Sequence, residues 1–279
     1  MTVECAVVTA AGRGQRMWPA TRTIQKELLN VIDRPALDYV LAEIAGADIP
    51  DALVVIGDQS DDVHRYLKRA GRPPLAAGGE FCVTTSAPVP PSGLGRSVLE
   101  ARGYARDRPF ALLLGDNIMT SRVAVLRRLL AVHQATGSPV VALTGISPEQ
   151  CQMYGCAVVG QTLADDMLVV ESFVEKPDPA EAPSDVGIIG RYVLTPAIFG
   201  VLESLPRGRN NEYQLTDALN ILAGKETVYG VVFDNVRYDI GSKVGLLEAT
   251  IGLALERPDL RAATVTLVRA ALAELLPGG

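Results

Sequence analysis

The sequence predicts an α/β protein, in which helices flank a central, mostly parallel mixed sheet as a three-layer α/β/α fold, with a β-rich insertion at the edge of the sheet. Three observations predict this fold. In the first half, short and continuously apolar runs alternate with amphipathic helical patterns. From 154 to 193 the pattern changes to strands joined by turns, and helical patterns return after it. Continuous apolar runs are typical of strands that a parallel sheet buries on both faces.

The predicted strands are apolar runs of five to nine residues. They cover 5–9, 52–56, 110–114 and 139–143 in the first half, and 167–174 and 186–194 in the second. Because helical patterns separate the runs of the first half, these strands are expected to lie parallel in one sheet.

The predicted helices share the apolar spacing i, i+3, i+4, i+7. Their stripes are Leu37, Val40, Leu41 and Ile44; Leu126, Leu129, Leu130 and His133; Leu215, Ala218, Leu219 and Leu222; and Val265, Val268, Leu272 and Leu275. Pro35 suits the first helical position of the first of these. His133 is expected at the edge of a packed face and not as a metal ligand. The last stripe would pack either on its own domain or on a partner.

Composition excludes several classes of protein. The chain is 48% hydrophobic and 21% charged, which is typical of a soluble globular protein. A net charge of −6 without a Lys/Arg-rich block argues against a non-specific nucleic-acid binder. No apolar stretch of about 18 residues is free of charge, and no basic segment precedes the apolar N-terminal run, so neither a membrane span nor a signal peptide is predicted. We therefore expect a cytoplasmic protein.

Cysteine usage agrees with that compartment. Cys5, Cys82, Cys151 and Cys156 form no CxxC pair and have no histidine nearby in the sequence, so buried, reduced thiols are predicted rather than a zinc site or disulfides. The 279 residues are expected to form one domain with a ligand cleft between its two halves.

A glycine-rich segment follows the first strand. It contains Gly12 and Gly14, but it lacks a P-loop signature, and Met17 stands where a third glycine of GxGxxG would be. The next helical pattern starts only near Pro35, whereas a dinucleotide-binding fold begins its helix at the turn. Such a turn lets backbone N–H groups approach phosphate, and the cations Arg16 and Lys26 suit a triphosphate.

Further motifs follow this loop, and together with the loop and the first strand they span residues 3 to about 250. Together they are Gly12-x-Gly14-x-Arg16-Met17-x-Pro19-Ala20-Thr21, Lys26-Glu27-Leu28-Leu29, Gly93-Leu94-Gly95, Asp116, Tyr154-Gly155, Val174-Glu175-Lys176-Pro177, Gly190-Arg191-Tyr192-Val193-Leu194, Glu212-x-Gln214-Leu215-Thr216-Asp217-Ala218 and Asp239-x-Gly241-x-Lys243. In this order they resemble the sugar-nucleotide pyrophosphorylase (nucleotidyltransferase) family, most closely its bacterial UTP–glucose-1-phosphate uridylyltransferases. The ordered set is far more specific than any one motif.

The resemblance implies a Rossmann-like fold and a reaction in which a sugar 1-phosphate attacks the α-phosphorus of a nucleoside triphosphate, most simply UTP with glucose 1-phosphate. It implies a nucleotide-binding half (about 1–145), a β-rich sugar-binding half (about 146–240) and C-terminal helices (241–279), in a homodimer or homotetramer. The catalytic residues would be Arg16, Lys26, Asp116, Lys176 and Asp239. Asp116 and Asp239 would bind Mg²⁺, whose preferred ligands are carboxylate oxygens.

The resemblance also implies the binding residues. Those for the nucleotide would be Ala11, Gly12, Gly14, Arg16, Lys26 and Gly93. Those for the sugar phosphate would be Gly155, Glu175, Lys176 and Gly190. Lys176 would meet the phosphate, Glu175 would accept hydrogen bonds from sugar hydroxyls, and the glycines would let backbone approach the sugar.

Several residues depart from the uridylyltransferase pattern. Gly115 stands where a proline is usual, so that Gly115-Asp116-Asn117 is similar to the thymidylyltransferases. The segment 84–88 contains no counterpart of the glutamine that reads the pyrimidine in the family. Arg96 is found where a histidine is common, and Arg209-Asn210-Asn211 is found where an acidic Gly-Asp pair is usual.

Three alternatives therefore stay open. The same chemistry could use dTTP or a purine triphosphate with a modified sugar or a cyclitol phosphate. The chain could be a nucleotide-binding regulatory protein without turnover, although a sensor has no need of so complete a set of cations and carboxylates. An NAD(P)-binding protein is disfavoured because no helix starts at the glycine turn.

Overall fold

The computed structural model of the chain describes residues 2–58, 61–71, 73, 75–120, 124–234 and 237–275. Its strands are β1 (Cys5–Ala10), β2 (Asn30–Val31), β3 (Arg34–Pro35), β4 (Asp51–Ile56), β5 (Cys82–Thr85), β6 (Phe110–Leu114), β7 (Asn117–Met119), β8 (Val140–Gly145), β9 (Gly155–Ala164), β10 (Met167–Glu175), β11 (Val186–Leu194), β12 (Val228–Val232) and β13 (Arg237–Asp239). Its α-helices are α1 (Ala36–Gly46), α2 (Asp61–Arg69), α3 (Leu94–Glu100), α4 (Arg102–Ala105), α5 (Val125–Thr136), α6 (Ala197–Ser204), α7 (Leu215–Ala223), α8 (Lys243–Glu256) and α9 (Arg261–Leu275).

A nine-stranded sheet runs through the molecule in the order β5-β4-β1-β6-β11-β8-β12-β10-β9. β5, β4, β1 and β6 are mutually parallel, and β8 is parallel to β12. β10 and β11 run against their neighbours, so the sheet is mixed and mostly parallel, as predicted. The β-rich segment does not form a layer of its own, because β9, β10 and β11 continue the same sheet.

Helices cover both faces of the sheet. Successive residues of β1 point to opposite faces: Ala6 and Val8 pack in the apolar cluster of α1, α2 and α5, whereas Cys5 and Val7 pack in the cluster of α3, α6 and α7. This alternation follows from the two-residue period of a strand. Both clusters are buried, and together they confirm the three-layer α/β/α fold.

Two short ribbons lie outside the main sheet. β2 pairs with β3 before α1, and β7 pairs antiparallel with β13, with Asn117 opposite Asp239. A third apolar cluster packs α8 against these ribbons through Ile118, Ile240 and Ala249. The β7–β13 ribbon brings the end of β6 close to a segment more than a hundred residues later in the chain.

Most of the predicted elements are present, and some details were wrong. All six predicted strands occur within two residues of their predicted bounds. Pro35 is not the first helical residue, because it pairs with Asn30 in the β2–β3 ribbon and precedes α1. His133 is buried on α5, where its Nδ1 lies 2.7 Å from the carbonyl oxygen of Ser138, in agreement with a packed histidine.

The last helix and one cysteine differ from the prediction of burial. α9 has no buried residue: in the predicted stripe Val265 and Val268 are half-buried, and Leu272 and Leu275 are 51% and 77% exposed. The stripe therefore packs only in part on its own domain, and its two leucines stay exposed. All four cysteines are free thiols, but Cys82 is exposed because it lies on β5, the edge strand, whereas the other three are buried as predicted. Among the residues that the structure describes, no helix combines the length and apolar character needed to cross a bilayer.

Candidate active site

The glycine-rich loop follows the C-terminal end of β1, a central strand of the sheet, and turns back on itself. Gly14 adopts a left-handed conformation (φ 59°) and its carbonyl accepts hydrogen bonds from the Met17 N–H at 2.9 Å and the Thr21 hydroxyl at 2.6 Å. The Gln25 amide donates to the carbonyls of Ala10 and Gly12 at 2.9 and 2.8 Å. These hydrogen bonds give the carbonyl oxygens of Ala10, Gly12 and Gly14 donors within the protein. The turn therefore holds one conformation before any ligand binds.

Lys26 lies under this loop. A Cβ on Gly12 would be only 3.2 Å from the Lys26 Cε, so the loop and the lysine are in close contact. The ammonium group is paired with the Asp116 carboxylate, which follows β6, and lies 3.4 Å from Glu27 Oε1. Lys26 and Asp116 are both largely buried, with side-chain exposures of 15% and 13%. Two segments ninety residues apart in sequence thus supply one charged cluster at the ends of β1 and β6.

Asp239 joins this cluster through the β7–β13 ribbon. Its Oδ2 lies 3.8 Å from Arg16 Nη2 and 3.4 Å from Arg237 Nη2, and its Oδ1 accepts a hydrogen bond from the Gly241 N–H. A Cβ on Gly241 would lie 2.9 Å from carboxylate oxygens of both Asp116 and Asp239. The two carboxylates therefore face the same small space, which glycine at position 241 leaves open.

The local charges set the protonation of this cluster. Burial alone would raise the pKa of Asp116, but Lys26, Arg237 and Arg16 lower it below its ordinary value. Burial would lower the pKa of Lys26, but Asp116 and Glu27 raise it above its ordinary value. Lysine and aspartate thus hold each other in their charged forms. Glu27 behaves differently, since burial dominates and raises its pKa.

A second group of charged residues lies at the end of β10. The strand ends at Glu175, and Lys176 takes a left-handed conformation (φ 47°), so the two neighbouring side chains reach the same side. The Lys176 ammonium lies 2.9 Å from Glu175 Oε1, while Glu175 Oε2 accepts a hydrogen bond of 2.6 Å from the Thr216 hydroxyl. Both oxygens of Glu175 therefore have a partner, and a carboxylate retains capacity to accept further hydrogen bonds.

An open cleft of about 620 Å³ lies between the two groups, a volume within the usual range for ligand sites. Its lining contains the predicted residues Ala11, Gly12, Gly14, Arg16, Lys26, Gly93, Asp116 and Lys176. The predicted residues Gly155, Glu175, Gly190 and Asp239 are not part of this lining. The cleft thus contains all the predicted nucleotide residues together with Asp116, but Lys176 alone of the predicted sugar-phosphate residues. Below, the loop side with Lys26 and Asp116 is called the nucleotide wall, and Lys176 with its partner Glu175 the sugar wall.

Residues 5–255 match the model of the nucleotidyl transferase family. The chain belongs to this family. Among curated nucleotidyl transferases, it is 36% identical to a UTP–glucose-1-phosphate uridylyltransferase of Bacillus subtilis, over 93% of this chain and 92% of that protein. It is 34% identical to an enzyme of the same name from Streptococcus pneumoniae, over 93% of both chains.

Solved structures of nucleotidyl transferases give the same result. A UDP-glucose pyrophosphorylase complexed with UDP-glucose superposes with a TM-score of 0.81 at 29% identity and covers 92% of this chain and 100% of that one. A UTP-bound UGPase from Acinetobacter baumannii superposes with a TM-score of 0.79 at 26% identity, over 96% and 99% of the two chains. These matches confirm the predicted family and the predicted fold of this nucleotidyl transferase.

Several residues of the site were not identified from the sequence. Glu27 is 1% exposed, lines the cleft and has an oxygen, Oε2, without a hydrogen-bond partner. Gly241 and Glu212 also line the cleft, and Thr216 anchors Glu175. All of these lie within the recognised motifs, but the pattern gives no sign of which motif residues contact one another.

The glycines predicted to approach a sugar have close neighbours in the protein itself. A Cβ on Gly155 would lie 2.8 Å from the Thr216 hydroxyl oxygen. A Cβ on Gly190, which has a φ of 75°, would lie 2.8 Å from Leu114. Likewise, a Cβ on Gly93 would lie 2.6 Å from the Tyr213 carbonyl oxygen, so this turn at the rim of the cleft requires glycine. Internal packing therefore accounts for all three glycines, and a role in sugar binding stays a prediction for Gly155 and Gly190.

The residues that depart from the uridylyltransferase pattern have structural roles of their own. The Gly115 N–H donates to the Thr9 carbonyl at 3.1 Å, a bond that a proline would lack, and a Cβ there would lie 2.8 Å from that oxygen. Arg96 pairs with Glu100 one turn later on α3. Arg209 donates a hydrogen bond to the carbonyl of Lys176. The segment 209–211, which differs from the uridylyltransferase pattern, therefore contacts the backbone of the predicted phosphate-binding lysine.

Proposed function

We propose that this nucleotidyl transferase forms an NDP-sugar and pyrophosphate from a nucleoside triphosphate and a sugar 1-phosphate, with UTP and glucose 1-phosphate as its substrates. The observation that carries the proposal is the charged cleft. Asp116, the cations Arg16 and Lys26, and Lys176 line it, and Asp239 lies next to the lining through its pairing with Arg16. The relatives named as enzymes of UTP and glucose 1-phosphate, and the neighbour that holds UDP-glucose, support this choice of substrates.

In the proposed reaction, an oxygen of the sugar phosphate forms a bond to the α-phosphorus. The bond from that phosphorus to the bridging oxygen breaks, and pyrophosphate leaves with the electron pair. The attacking phosphate is already anionic near neutral pH, so no protein nucleophile or general base is required. The task of the protein is to align two anions that repel each other and to neutralise the charge on the triphosphate.

On the nucleotide side, the loop from Ala11 to Gly14 supplies backbone N–H groups at a turn, the arrangement that binds phosphate oxygens. Arg16 and Lys26 supply positive charge beside it. Both cations are paired with carboxylates, so phosphate binding exchanges these ion pairs for contacts with the ligand. On the sugar side, Lys176 binds the phosphate and Glu175, which Thr216 orients, accepts hydrogen bonds from sugar hydroxyls.

The residues present fit Mg²⁺. Asp116 and Asp239 offer hard oxygen ligands that face one small space, as the position of Gly241 indicates. Among the described residues, no group of three or more His, Cys, Asp and Glu side chains is arranged as a metal site. Two carboxylates suit Mg²⁺, since this ion on a nucleotide takes one or two protein ligands with phosphate and water. When bound, it would neutralise charge on the triphosphate.

A pyrophosphate-release screen tests the proposal. The purified chain is incubated with Mg²⁺, each common nucleoside triphosphate and a panel of sugar and cyclitol phosphates. We expect the highest kcat/KM for UTP with glucose 1-phosphate. A higher value for dTTP or a purine triphosphate, or for a modified sugar, would move the specificity while keeping the reaction. Nucleotide binding without release from any pair would contradict the proposal and favour a regulatory protein.

The homo-oligomer and the cytoplasmic location stay predictions. A second copy of the chain would cover the apolar side chains that α8 and α9 expose, among them Val244, Leu247 and Leu267. Analytical ultracentrifugation of the chain and of Leu267→Glu would test this contact, because a charge at its centre should dissociate the assembly. A wild-type monomer would exclude the oligomer.

A further inference from the structure

Arg191 is the largest charged side chain of the described core, and it is completely buried. It lies on β11, and its Nε and Nη2 donate to both carboxylate oxygens of Glu43 on α1 at 2.8–3.1 Å. Its remaining N–H groups donate to three backbone carbonyls. Each of the five donors of a guanidinium group therefore has an acceptor, the condition under which a buried arginine is tolerated.

The carbonyls that Arg191 binds lie on both sides of Asp116. Its Nη1 donates to the carbonyl of Leu114 at 3.2 Å and its Nη2 to the carbonyl of Asn117 at 2.7 Å. Leu114 ends β6 and Asn117 begins β7, so one rigid, planar group spans the turn that carries the aspartate. Because the fork of a guanidinium has fixed geometry, this contact fixes the separation of the two carbonyls.

The backbone of β11 is shaped for this contact. The pairing of β11 with β8 shifts register between Ile188 and Tyr192, and Gly190 within the irregularity has a φ of 75°. The Gly190 carbonyl accepts the third backbone bond of Arg191, at 3.0 Å. A β-bulge changes the direction of the side chains that follow it. Here the irregularity accompanies a side chain that reaches across to the end of β6.

Stability alone gives no reason for this arrangement. An ion pair with this burial repays its desolvation only when its geometry is excellent, and a well-packed apolar side chain would serve a core as well. A guanidinium differs from an apolar side chain in that it fixes carbonyl oxygens at set positions. The carbonyls it fixes belong to the turn of Asp116.

We infer that Arg191, oriented by Glu43, is a positioning residue that holds the Asp116 carboxylate where it binds the divalent cation of the reaction. This inference rests on the proposed function, because it takes Asp116 as a metal ligand. It extends the proposed site to a strand of the sugar-binding half and to a helix of the nucleotide-binding half. Arg191 itself does not line the cleft, so it would act through the turn of Asp116 and not by touching substrate.

The test compares Arg191→Lys with the wild-type chain. A lysine has three donors in place of five and no planar fork, so it keeps the charge but cannot span both carbonyls. Mn²⁺ is titrated into each protein in the presence of UTP, and free Mn²⁺ is measured by electron paramagnetic resonance. We expect Mn²⁺ to bind about 10-fold more weakly to the variant, the usual scale for a group that orients a metal ligand. The Mg²⁺ concentration for half-maximal turnover should rise in parallel.

Two further variants separate positioning from stability. Glu43→Gln removes the charge that orients Arg191 and should weaken Mn²⁺ binding in the same direction but less, and it decides the matter if Arg191→Lys does not fold. Arg128→Lys breaks the two 2.8 Å hydrogen bonds between Arg128 and Asp166, outside the cleft, and should leave Mn²⁺ affinity unchanged. Thermal unfolding shows which variants are folded.

The outcomes distinguish this inference from the proposed function. Unchanged Mn²⁺ affinity in a folded Arg191→Lys, or in Glu43→Gln where the lysine variant does not fold, would overturn the positioning role while the wild-type chain still releases pyrophosphate. If Mn²⁺ affinity fell as much in Arg128→Lys, the loss would reflect general destabilisation, and the positioning role of Arg191 would again be overturned. Failure of the wild-type chain to release pyrophosphate from any substrate pair would instead contradict the proposed function.

Discussion

The two walls of the cleft hold their lysines differently. Lys26 is 15% exposed, lies beneath a rigid glycine loop and is paired with the buried Asp116. Lys176 is 42% exposed and projects from the end of a strand, in contact with Glu175. A buried, paired charge keeps its position, whereas an exposed lysine samples many rotamers. We therefore expect the nucleotide wall to be organised in advance and the sugar wall to be completed by the ligand proposed to bind there. Substitutions in the first should lower kcat, and those in the second should raise KM.

The largest effect is expected for the two carboxylates of the nucleotide wall. Asp116→Asn and Asp239→Asn each remove one anionic ligand of the proposed cation, and loss of one such electrostatic group costs about 100–1000-fold in kcat. Mg²⁺-dependent pyrophosphate release measures the loss, and circular dichroism checks the fold. Asp166→Asn, which removes a charge paired with Arg128 away from the cleft, should keep near-normal turnover. Normal rates in both site variants would show that the metal ligands are assigned wrongly.

The cations of the same wall come next. Lys26→Ala removes a charge-assisted contact in a dry site, worth about 1.5–3 kcal/mol or roughly 10–100-fold in kcat/KM for the nucleotide. Arg16, whose side chain is 63% exposed, should contribute about 10-fold at most because water screens it. Steady-state kinetics with varied triphosphate measures both, and Lys68→Ala on the exposed face of α2 serves as the control. Unchanged kcat/KM in both site variants would remove this loop from the active site.

A smaller effect of a different kind is expected on the sugar wall. Lys176→Ala should raise KM for the sugar phosphate by about 10-fold, near 1.4 kcal/mol, and leave KM for the triphosphate unchanged. Glu175→Ala should also weaken the sugar, by an amount that depends on the hydroxyl configuration of the sugar, since a carboxylate binds hydroxyls and not phosphate.

Two sugar phosphates that differ at one hydroxyl decide between these contributions, and Lys225→Ala, at an exposed position after α7, is the control. A rise of KM for the triphosphate alone in Lys176→Ala would exchange the assignments of the two walls.

The smallest effect concerns stability. Burial raises the pKa of Glu27, so its charged form is disfavoured in the folded chain. A carboxyl group with a raised pKa destabilises the fold above that pKa, and the cost disappears as the pH falls through it toward the ordinary value. Glu27→Gln should therefore raise Tm at pH 8 by about 2–4 °C, which corresponds to ~1 kcal/mol.

The advantage of Glu27→Gln should shrink as the pH is lowered. Differential scanning fluorimetry at several pH values, with the exposed Glu274→Gln on α9 as the control, measures it. A lower Tm at pH 8 would mean that the Glu27 charge stabilises Lys26 more than burial costs, and that the nucleotide wall depends on two carboxylates.

The sequence was most informative where local pattern decides structure. The strand 186–194 was predicted with its observed bounds, because a run of apolar residues is a pattern of neighbouring positions. Arg16, Lys26, Asp116 and Lys176, four charged residues that line the cleft, were predicted through the ordered motifs. Glu27 and the pair of Glu43 and Arg191 were missed as parts of the site, since nothing local marks a contact between residues 148 positions apart. The exposure of Leu272 and Leu275 could not be predicted, because an amphipathic pattern does not indicate which surface covers its apolar face.

The position of β11 in the sheet has a consequence for how the chain is made. β6 and β8 are synthesised first, yet they are not neighbours, because β11 lies between them and bonds to both. Until residue 194 is available, β6 and β8 each lack this strand, and the unpaired N–H and C=O groups along their edges are open to pairing with another chain. The first 145 residues therefore do not make a complete folding unit. The nascent chain must hold these edges unpaired, or shielded by a chaperone, until the later strand fills the gap.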